Sequence, residues 1–261
     1  MTAHYESPQA WATSSDPAYE ALSRAVVAAT PVSLRGRSVL DLGAGTGATS
    51  RALDAAGGRP VALDLSVAML AHGHSSRPPA VVGDMANLPL ANASVGGAIA
   101  AFSLSHVEDP VAVLAEARRV TVAAGPVIVG VFAENGARHP AKEAVERAAT
   151  RRGWTPPDWY THLKTNLEPQ VSHARALASL AAAAGLAAVG LTEDNVDAGL
   201  DTADALVAWR MSGPALADFV ASLPRRERDA LTAEAVAALG SDVPGLQLRV
   251  RILASVVPAA R

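Results

Sequence analysis

Glycines stand at alternate positions in the stretch DLGAGTGATS, which covers residues 41–50 and follows the short apolar run at residues 38–40. A glycine-rich turn between a strand and a helix lets the backbone approach a ligand closely, because no Cβ atom stands in the way. Asp41 lies two residues before Gly43, so the turn also carries a carboxylate. This combination predicts a binding loop for a small ligand.

Two further acids follow the next apolar segments. Asp64 comes about 20 residues after Gly43, a spacing at which a carboxylate can accept hydrogen bonds from a ribose diol. The loop also fits the pattern G-x-G-x-x-G/A, with Ala48 in the last place. Both S-adenosylmethionine (SAM) and a nicotinamide dinucleotide carry such a ribose. A SAM-dependent enzyme and an NAD(P)-dependent oxidoreductase are therefore both compatible with this spacing.

The charge of the loop favours SAM. A dinucleotide would bring a pyrophosphate to the turn, and Asp41 would repel it. SAM brings an ammonium and a sulfonium instead, which a carboxylate attracts. Asp84, in VVGDMANLPL, can accept a hydrogen bond from an adenine amino group while Met85 packs on the ring.

The elements that must position these residues alternate between strand and helix patterns. We predict strands at residues 38–43, 60–65, 79–85, 95–102, 125–132, 186–196 and 246–257. Helices are predicted at 16–30 and 45–56, after Ser66, after Asp109-Pro110, and at 172–184, 202–211, 214–223 and 225–239. Such alternation is typical of a parallel sheet with helices on both faces and ligands at the carboxyl ends of the strands. Strict alternation of apolar and polar residues in the last segment predicts an antiparallel edge strand.

The same patterns predict four regions. Residues 1–35 form an N-terminal helical cover, and residues 36–133 form a Rossmann-like core that binds the cofactor. Residues 134–185, which are rich in Trp and His, form a helical lid or insertion. Residues 186–261 complete the sheet and add helical elements. We expect residues 134–175 and 197–240 to enclose the second substrate.

The segments VLDLGAGTG, VALDLS, GDMANLPL and AFSLSHVEDP together resemble the motifs of class I SAM-dependent methyltransferases. The chain is most similar to the small-molecule branch related to ubiquinone and menaquinone biosynthesis enzymes, over about residues 36–133. It departs from the pattern at AAGP, where the family has a Pro-Gly-Gly turn, and at Gly97, where the family often has Asp. The resemblance implies an α/β, Rossmann-like fold with a seven-stranded, mostly parallel sheet, an antiparallel last strand and a helical cap over the active site.

The resemblance also implies the roles of individual residues. The residues implied to bind SAM are Asp41, Gly43, Ala44, Gly45, Asp64, Leu65, Asp84, Met85, Ala101 and Phe102. His106 faces the methyl group and is the first candidate for a general base, although a histidine that packs against SAM or caps the next turn is the simpler interpretation. Weaker candidates are Tyr160, His162 and His173. Trp11 and Tyr19 are expected to close over the cofactor.

Composition limits the remaining possibilities. The net charge of −3 and the pI of about 6.2 argue against a general nucleic-acid binder. The chain has no cysteine, which excludes thiolate catalysis and Cys-ligated metals, and we expect no metal. The first residues do not resemble a signal peptide and we find no membrane span, so we expect a cytoplasmic protein. Only two of the 22 basic residues are lysines, which is typical of GC-rich bacterial genomes.

The sequence therefore predicts an enzyme that moves a methyl group from SAM to O, N or C of a small, partly apolar metabolite and releases S-adenosylhomocysteine. Natural-product biosynthesis is a possible setting, and a homodimer is a possible assembly. Nucleic acid and membrane are not expected as partners. The alternatives are an NAD(P)-dependent oxidoreductase and a non-catalytic protein that binds SAM or a metabolite.

Overall fold

The structure is a computed structural model that describes residues 8–72, 77–133 and 139–259. Its elements follow the chain in this order: α1 (Pro8–Ser14), α2 (Asp16–Ala28), β1 (Ser38–Leu42), α3 (Ala48–Ala55), β2 (Arg59–Asp64), α4 (Val67–Ala71), β3 (Ala80–Val82), β4 (Gly97–Ala101), α5 (Pro110–Val120), β5 (Pro126–Phe132), α6 (Pro140–Thr150), α7 (Asp158–His162), α8 (Glu168–Ser172), α9 (Ala174–Ala183), β6 (Ala187–Asp197), α10 (Ala203–Met211), α11 (Pro214–Ser222), α12 (Arg225–Leu239) and β7 (Gln247–Val256). A 3-10 turn covers Leu104–His106, and a π-helix covers Leu163–Leu167 between α7 and α8.

The strands form one seven-stranded sheet in the order β3-β2-β1-β4-β5-β7-β6. Strands β1 to β5 are parallel, and β7 runs antiparallel to both β5 and β6. This confirms the predicted Rossmann-like, mostly parallel sheet with an antiparallel last strand. The chain moves from β1 outward to β2 and β3, then returns to β4 on the other side of β1. A crevice opens at such a reversal, beyond the carboxyl ends of β1 and β4.

Apolar side chains cover both faces of this sheet. On one face, Leu22 of α2 and Leu53 of α3 pack against Ile99 and Ile128 of the central strands. On the opposite face, α5 and α9 cover a second apolar cluster, which includes Leu114 and Leu177. The central strands are buried on both sides, which explains why they appear in the sequence as continuous apolar runs.

A third apolar cluster lies outside the sheet. Helix α6 packs against α10, α11 and α12 through residues such as Val145, Leu216 and Leu231. The indole Nε1 of Trp154 donates a hydrogen bond to the carbonyl of Ala215 at 3.0 Å. The first part of the predicted lid thus forms one helical unit with residues that follow β6.

Two predictions are wrong, one about the start of a helix and one about the place of a strand in the sheet. The helix predicted from Gly45 begins at Ala48, because Gly43, Gly45 and Gly47 all have positive φ (75°, 53° and 99°) and form a turn. The last strand, β7, is not an edge strand, since β6 continues the sheet beyond it. Its polar face is accordingly paired: Arg251 is buried and donates to Glu193 of β6.

Candidate active site

A cavity of about 190 Å³ lies at the carboxyl ends of the parallel strands. Its walls come from α1 and α2, from the glycine loop, and from the segments that follow β2, β3 and β4. Of the predicted site residues, those that line it are Gly43, Ala44, Gly45, Asp64, Leu65, Asp84, Met85, Ala101, Phe102 and His106, together with Trp11 and Tyr19. The fold therefore brings together residues from five separate stretches of the sequence.

The glycine loop needs its glycines for its own geometry. The amides of Gly43 and Ala44 both donate to the carbonyl of Leu63 in the neighbouring strand β2, at 2.8 and 3.0 Å. A Cβ atom at Gly43 would lie 2.4 Å from the Cβ of Ser103, a distance that no side chain tolerates. The loop can thus lie flat against the segment after β4, and its other side faces the cavity.

Asp64 joins the loop to the end of β2. One carboxylate oxygen accepts the Gly45 amide at 2.8 Å, and the other accepts the Ser66 amide at 2.8 Å. A carboxylate has about four acceptor positions, so two remain for a ligand on the cavity side. This arrangement suits the two adjacent hydroxyl groups of a ribose.

The neighbouring wall combines one more acid with apolar side chains. The carboxylate of Asp84 accepts the Ala86 amide at 2.8 Å, which fixes its orientation after β3. Leu65, Met69 and Met85 line the same part of the cavity. A flat, partly polar ring such as adenine can pack between these side chains and donate its amino group to Asp84.

Asp41 does not line the cavity, although the sequence predicts it beside the ligand. It is 1% exposed and lies beneath the loop, where it accepts the Ser50 hydroxyl at 2.6 Å and the Ser50 amide. It thus serves the amino-terminal turn of α3, whose amides lack partners within the helix. Burial raises the pKa of Asp41 to about 7, although the hydrogen bonds from Ser50 oppose that effect.

Sequence reasoning missed the acid that stands on the cavity side of the loop. Asp16, in the first turn of α2, is nearly buried and lines the cavity. It accepts a hydrogen bond from the Thr46 hydroxyl and one from Arg51 at 2.9 Å. The Asp-Pro pair at residues 16–17 predicts a helix start, which gave no sign of a second role.

The charge of the cavity wall follows from these placements. Three carboxylates, those of Asp16, Asp64 and Asp84, line the cavity, whereas none of its lining residues within the described ranges is lysine or arginine. Such a wall attracts a cation and repels a diphosphate. The prediction that charge selects the ligand therefore rests on Asp16 in the structure rather than on Asp41.

An aromatic wall made of Trp11, Tyr19 and Phe102 bounds the cavity as well, and Phe132 packs behind Phe102 without lining the cavity. The ring of Tyr19 lies 4.9 Å from Trp11 and meets Phe102 edge-on at 6.0 Å, and Phe102 lies 4.7 Å from Phe132. Phe102 has a φ of 62°, a conformation that is strained for a bulky residue. Burial, with the nearby Glu168 and Tyr160, raises the pKa of the Tyr19 hydroxyl. This wall is apolar and uncharged.

His106 lines the cavity a few residues after Phe102. It ends the 3-10 turn after β4 and is partly buried. Burial, with the nearby ammonium of Lys164, lowers the pKa of His106 to about 4, so the imidazole is neutral at physiological pH. A neutral imidazole can accept a hydrogen bond from a substrate, but so low a pKa makes it a weak general base.

The other predicted residues lie outside the cavity wall. His162 pairs with Glu108 at 3.0 Å on the surface, His173 precedes α9, and Tyr160 lies beneath Lys164. None of the described residues in 139–175 or 197–240 lines this cavity, although Lys164 lies near His106 and Glu168 and Tyr160 lie near Tyr19 of its wall. Enclosure of the second substrate by these regions stays a prediction. Residues 8–72, 77–133 and 139–259 also contain no group of three or more His, Asp and Glu residues that could hold a metal. In the same ranges, every helix is too short or too polar to cross a membrane.

Comparison with known proteins identifies the family. A family model described as "Methyltransferase domain" matches residues 40–129, which contain the glycine loop and most of the cavity wall. Demethylmenaquinone methyltransferase from Mycolicibacterium paratuberculosis (strain ATCC BAA-968 / K-10) is 37% identical over 160 residues, which are 59% of this chain and 69% of the relative. The chain belongs to the SAM-dependent methyltransferases.

Further comparisons mark the extent of this likeness. The enzyme of the same name from Mycobacterium sp. (strain JLS) is 42% identical over 97 residues, so the match spans 37% of this chain and 42% of that relative. Among solved structures, the [4+2]-cyclase SpnF aligns with a TM-score of 0.56 at 18% identity, over 92% of this chain and 81% of the cyclase. A putative methyltransferase from Bacillus halodurans C-125 aligns with a TM-score of 0.55 at 17% identity, over 90% of this chain and 97% of that protein. The shared fold thus extends over most of the chain, whereas the family model matches only residues 40–129. Membership of this family supports SAM and not a nicotinamide dinucleotide as the cofactor.

Proposed function

We propose that this methyltransferase transfers the methyl group of SAM to a small, partly apolar acceptor that binds against the aromatic wall. The observation that carries the proposal is the cavity itself, which has three carboxylates on its wall and an aromatic surface at one end. The carboxylates suit a ligand with a positive charge, and the aromatic surface suits an uncharged, partly apolar acceptor.

In this proposal, different residues bind different parts of the cofactor. Asp64 holds the ribose and Asp84 the adenine amino group, with Leu65 and Met85 against the ring; we call this region the adenosine end. Gly43, Ala44, Gly45 and the backbone at Ala101 border the amino-acid part, and Asp16 supplies the nearest carboxylate on the cavity side. Asp41 acts indirectly, by holding α3 beneath the loop.

SAM supplies an activated methyl group on a sulfonium, so the reaction needs little acid or base assistance. The main task of the protein is to hold the acceptor in line behind the methyl group, and such positioning can supply roughly 7–11 kcal/mol. Phe102 and Tyr19 offer the flat surface for this purpose. His106 accepts a hydrogen bond from the acceptor and orients it, because its low pKa suits that role better than full proton removal.

The relatives are named for demethylmenaquinone, a compound with an aromatic ring system. We infer that the acceptor here is also aromatic or similarly flat, which agrees with the composition of the aromatic wall. Methylation on O, N or C is equally compatible with these residues. A role in bacterial natural-product biosynthesis fits the arginine-rich composition and the bacterial sources of the relatives.

Titration calorimetry tests the cofactor part of the proposal. We expect SAM and S-adenosylhomocysteine to bind at micromolar concentrations and NAD⁺ and NADH not to bind. Binding of a dinucleotide without binding of SAM would refute it. For the reaction, the chain should transfer a labelled methyl group from SAM to a hydroxylated aromatic acceptor from a panel of quinols and phenols.

The second candidate is a protein that binds SAM or a metabolite without transferring a methyl group. The fold alone does not imply methyl transfer, because it is shared with the [4+2]-cyclase SpnF. This candidate predicts that SAM binds but that no acceptor in the panel or in a cell extract gains label. Turnover in any of these assays removes this candidate.

We propose further that the protein is a cytoplasmic homodimer that pairs through β6. Among the residues that the structure describes, this strand is hydrogen-bonded on one side only, to β7, and Val189 and Leu191 are among its exposed residues. Exposed strand edges of this length are ready surfaces for pairing with a second chain. Sedimentation velocity should give the dimer mass, and Val189→Lys should give the monomer mass.

A further inference from the structure

Two arginines hold the glycine loop from behind. Arg77 Nη2 donates to the carbonyl of Gly45 at 2.7 Å, and Arg51 Nη1 donates to the carbonyl of Thr46 at 3.0 Å. Neither arginine belongs to the cavity wall. The two consecutive carbonyls of the loop are therefore drawn away from the ligand side.

Arg77 also ties the loop to α4. Its Nη2 donates to the carbonyl of Met69 at 2.8 Å, and its Nε donates to the carbonyl of His72 at 2.7 Å. Because Asp64 accepts the Gly45 amide at 2.8 Å, both polar groups of Gly45 are held, one by each of these charged side chains. One planar guanidinium thus fixes the loop relative to α4, whose Met69 lines the cavity.

The third nitrogen of the Arg77 guanidinium lowers the stability that this side chain contributes to the fold. Nη1 is buried, and no hydrogen-bond partner for it lies within the described residues. It lies behind Gly47, 3.9 Å from the position that a Cβ there would take. A buried donor without a partner is costly, so the other contacts of Arg77 must outweigh it.

We propose that Arg77 is a positioning residue for the amino-acid part of SAM, an inference that rests on the function proposed above. Arg77 holds the carbonyl of Gly45 away from the cavity and thereby keeps the loop in the shape that accepts this part of the cofactor. At the adenosine end, Asp64 and Asp84 supply the polar contacts, and Arg77 reaches this end only indirectly, through the carbonyl of Met69 and through Gly45. We therefore expect the loss of Arg77 to affect the adenosine end less than the amino-acid part. Lysine should be a poor substitute, because its compact ammonium lacks the spread, planar donors with which Arg77 contacts the carbonyls of Gly45, Met69 and His72.

The test compares two ligands that differ in the amino-acid part. S-adenosylhomocysteine contains it, whereas 5′-methylthioadenosine has the same nucleoside and sulfur but lacks it. We expect Arg77→Lys and Arg77→Gln to bind S-adenosylhomocysteine about tenfold more weakly than the unmodified chain, since charged hydrogen bonds of this kind are lost. The affinity for 5′-methylthioadenosine should change by less than about twofold.

Arg37→Lys is the matched control. Arg37 likewise donates to two loop carbonyls, those of Ser33 at 2.9 Å and Gly96 at 3.3 Å, but these loops precede β1 and β4, at the end of the sheet opposite the cavity, and Arg37 does not line the cavity. This variant should lose thermal stability and keep both affinities. Binding is measured by calorimetry well below the melting temperature of each variant.

The outcomes separate the inference from the proposed function. Equal weakening of both ligands in the Arg77 variants would overturn the inference, since it would indicate general destabilisation. Unchanged binding of S-adenosylhomocysteine by Arg77→Lys would also overturn it, because charge alone would then suffice. If the unmodified chain bound neither ligand, the proposed function would fail first, and the inference with it.

Discussion

The two ends of the cavity are held together differently. At the adenosine end, each carboxylate is fixed by backbone amides that lie within about 20 residues of it in the sequence. The aromatic wall, with Phe132 behind it, joins side chains from four separate parts of the chain. Asp64 and Asp84 each accept an amide two residues ahead, and Asp64 also accepts the loop amide of Gly45. Tyr19 contacts both Trp11 and Phe102 only through the packing of separate elements. The first region is rigid by local hydrogen bonding, and the second depends on how α1 and α2 lie on the sheet. We therefore expect substitutions to affect binding at one end and stability at the other.

The largest effect is expected at Phe102, where the aromatic wall meets the sheet. Phe102→Ala removes a buried ring and its contacts with Tyr19 and Phe132, which should lower the free energy of unfolding by about 3 kcal/mol. Affinity for S-adenosylhomocysteine should change little, because the ring lies at the acceptor side. Chemical denaturation and calorimetry measure the two quantities. A large loss of cofactor affinity without loss of stability would contradict this division.

Phe102→Gly sharpens the same test. At a φ of 62° glycine is more favourable than alanine, by about 1 kcal/mol, so the glycine variant should be the more stable of the two. At ordinary positions in a strand or helix the order is reversed. Alanine proving more stable here would show that the backbone of the unmodified chain is not strained.

Asp64→Ala should cause the largest loss of cofactor affinity. The change removes the acceptor for the Gly45 and Ser66 amides as well as the contacts proposed for the ribose, so we expect S-adenosylhomocysteine to bind about 30-fold more weakly. Asp54→Ala, at an exposed position of α3, is the control and should bind normally. Unchanged affinity of Asp64→Ala would remove the role assigned to the end of β2.

These differences explain how far the sequence could predict the site. The parallel strands, the glycine loop and the acids at Asp64 and Asp84 follow from local patterns, because each is defined by residues within one strand-turn-helix unit. Asp16 reaches the loop only after α2 has folded across β1, which no local pattern specifies. Asp41 has the right spacing for a ligand contact, but spacing does not tell on which side of the loop a side chain lies.

The lid region shows the same limit. Its composition predicts a separate helical region, and α6 to α8 are indeed helical. Whether these helices face the cavity depends on α10 to α12, with which α6 shares a core although β6 separates them in the sequence. Likewise, the alternation in β7 correctly predicts a strand, but only the pairing with β6 determines that the strand lies inside the sheet.

Asp16→Asn should have a smaller effect that depends on the charge of the ligand. It keeps the side-chain shape near Thr46 and removes one negative charge from the wall, so SAM should bind about fivefold more weakly. S-adenosylhomocysteine keeps the ammonium but lacks the sulfonium charge, so it should lose less. Glu20→Gln is the matched control, because Glu20 pairs with the same Arg51 but lies outside the cavity wall. An equal loss for both ligands would mean that Asp16 does not act on the sulfonium charge.

The smallest effect is expected from His106→Gln, which should leave cofactor affinity unchanged and alter only the response to acid. Burial favours the neutral imidazole and lowers its pKa to about 4, below the ordinary value of 6.5. The unfolded chain therefore binds a proton that the folded chain does not as the pH falls from about 6.5 to about 4. The stability from this group is complete above that window and is lost within it, so the variant should lose less stability than the unmodified chain between pH 6.5 and 4. Parallel pH profiles of the melting temperature for the two proteins would mean that His106 is protonated as easily in the fold as in water, and would restore it as a general base near neutral pH.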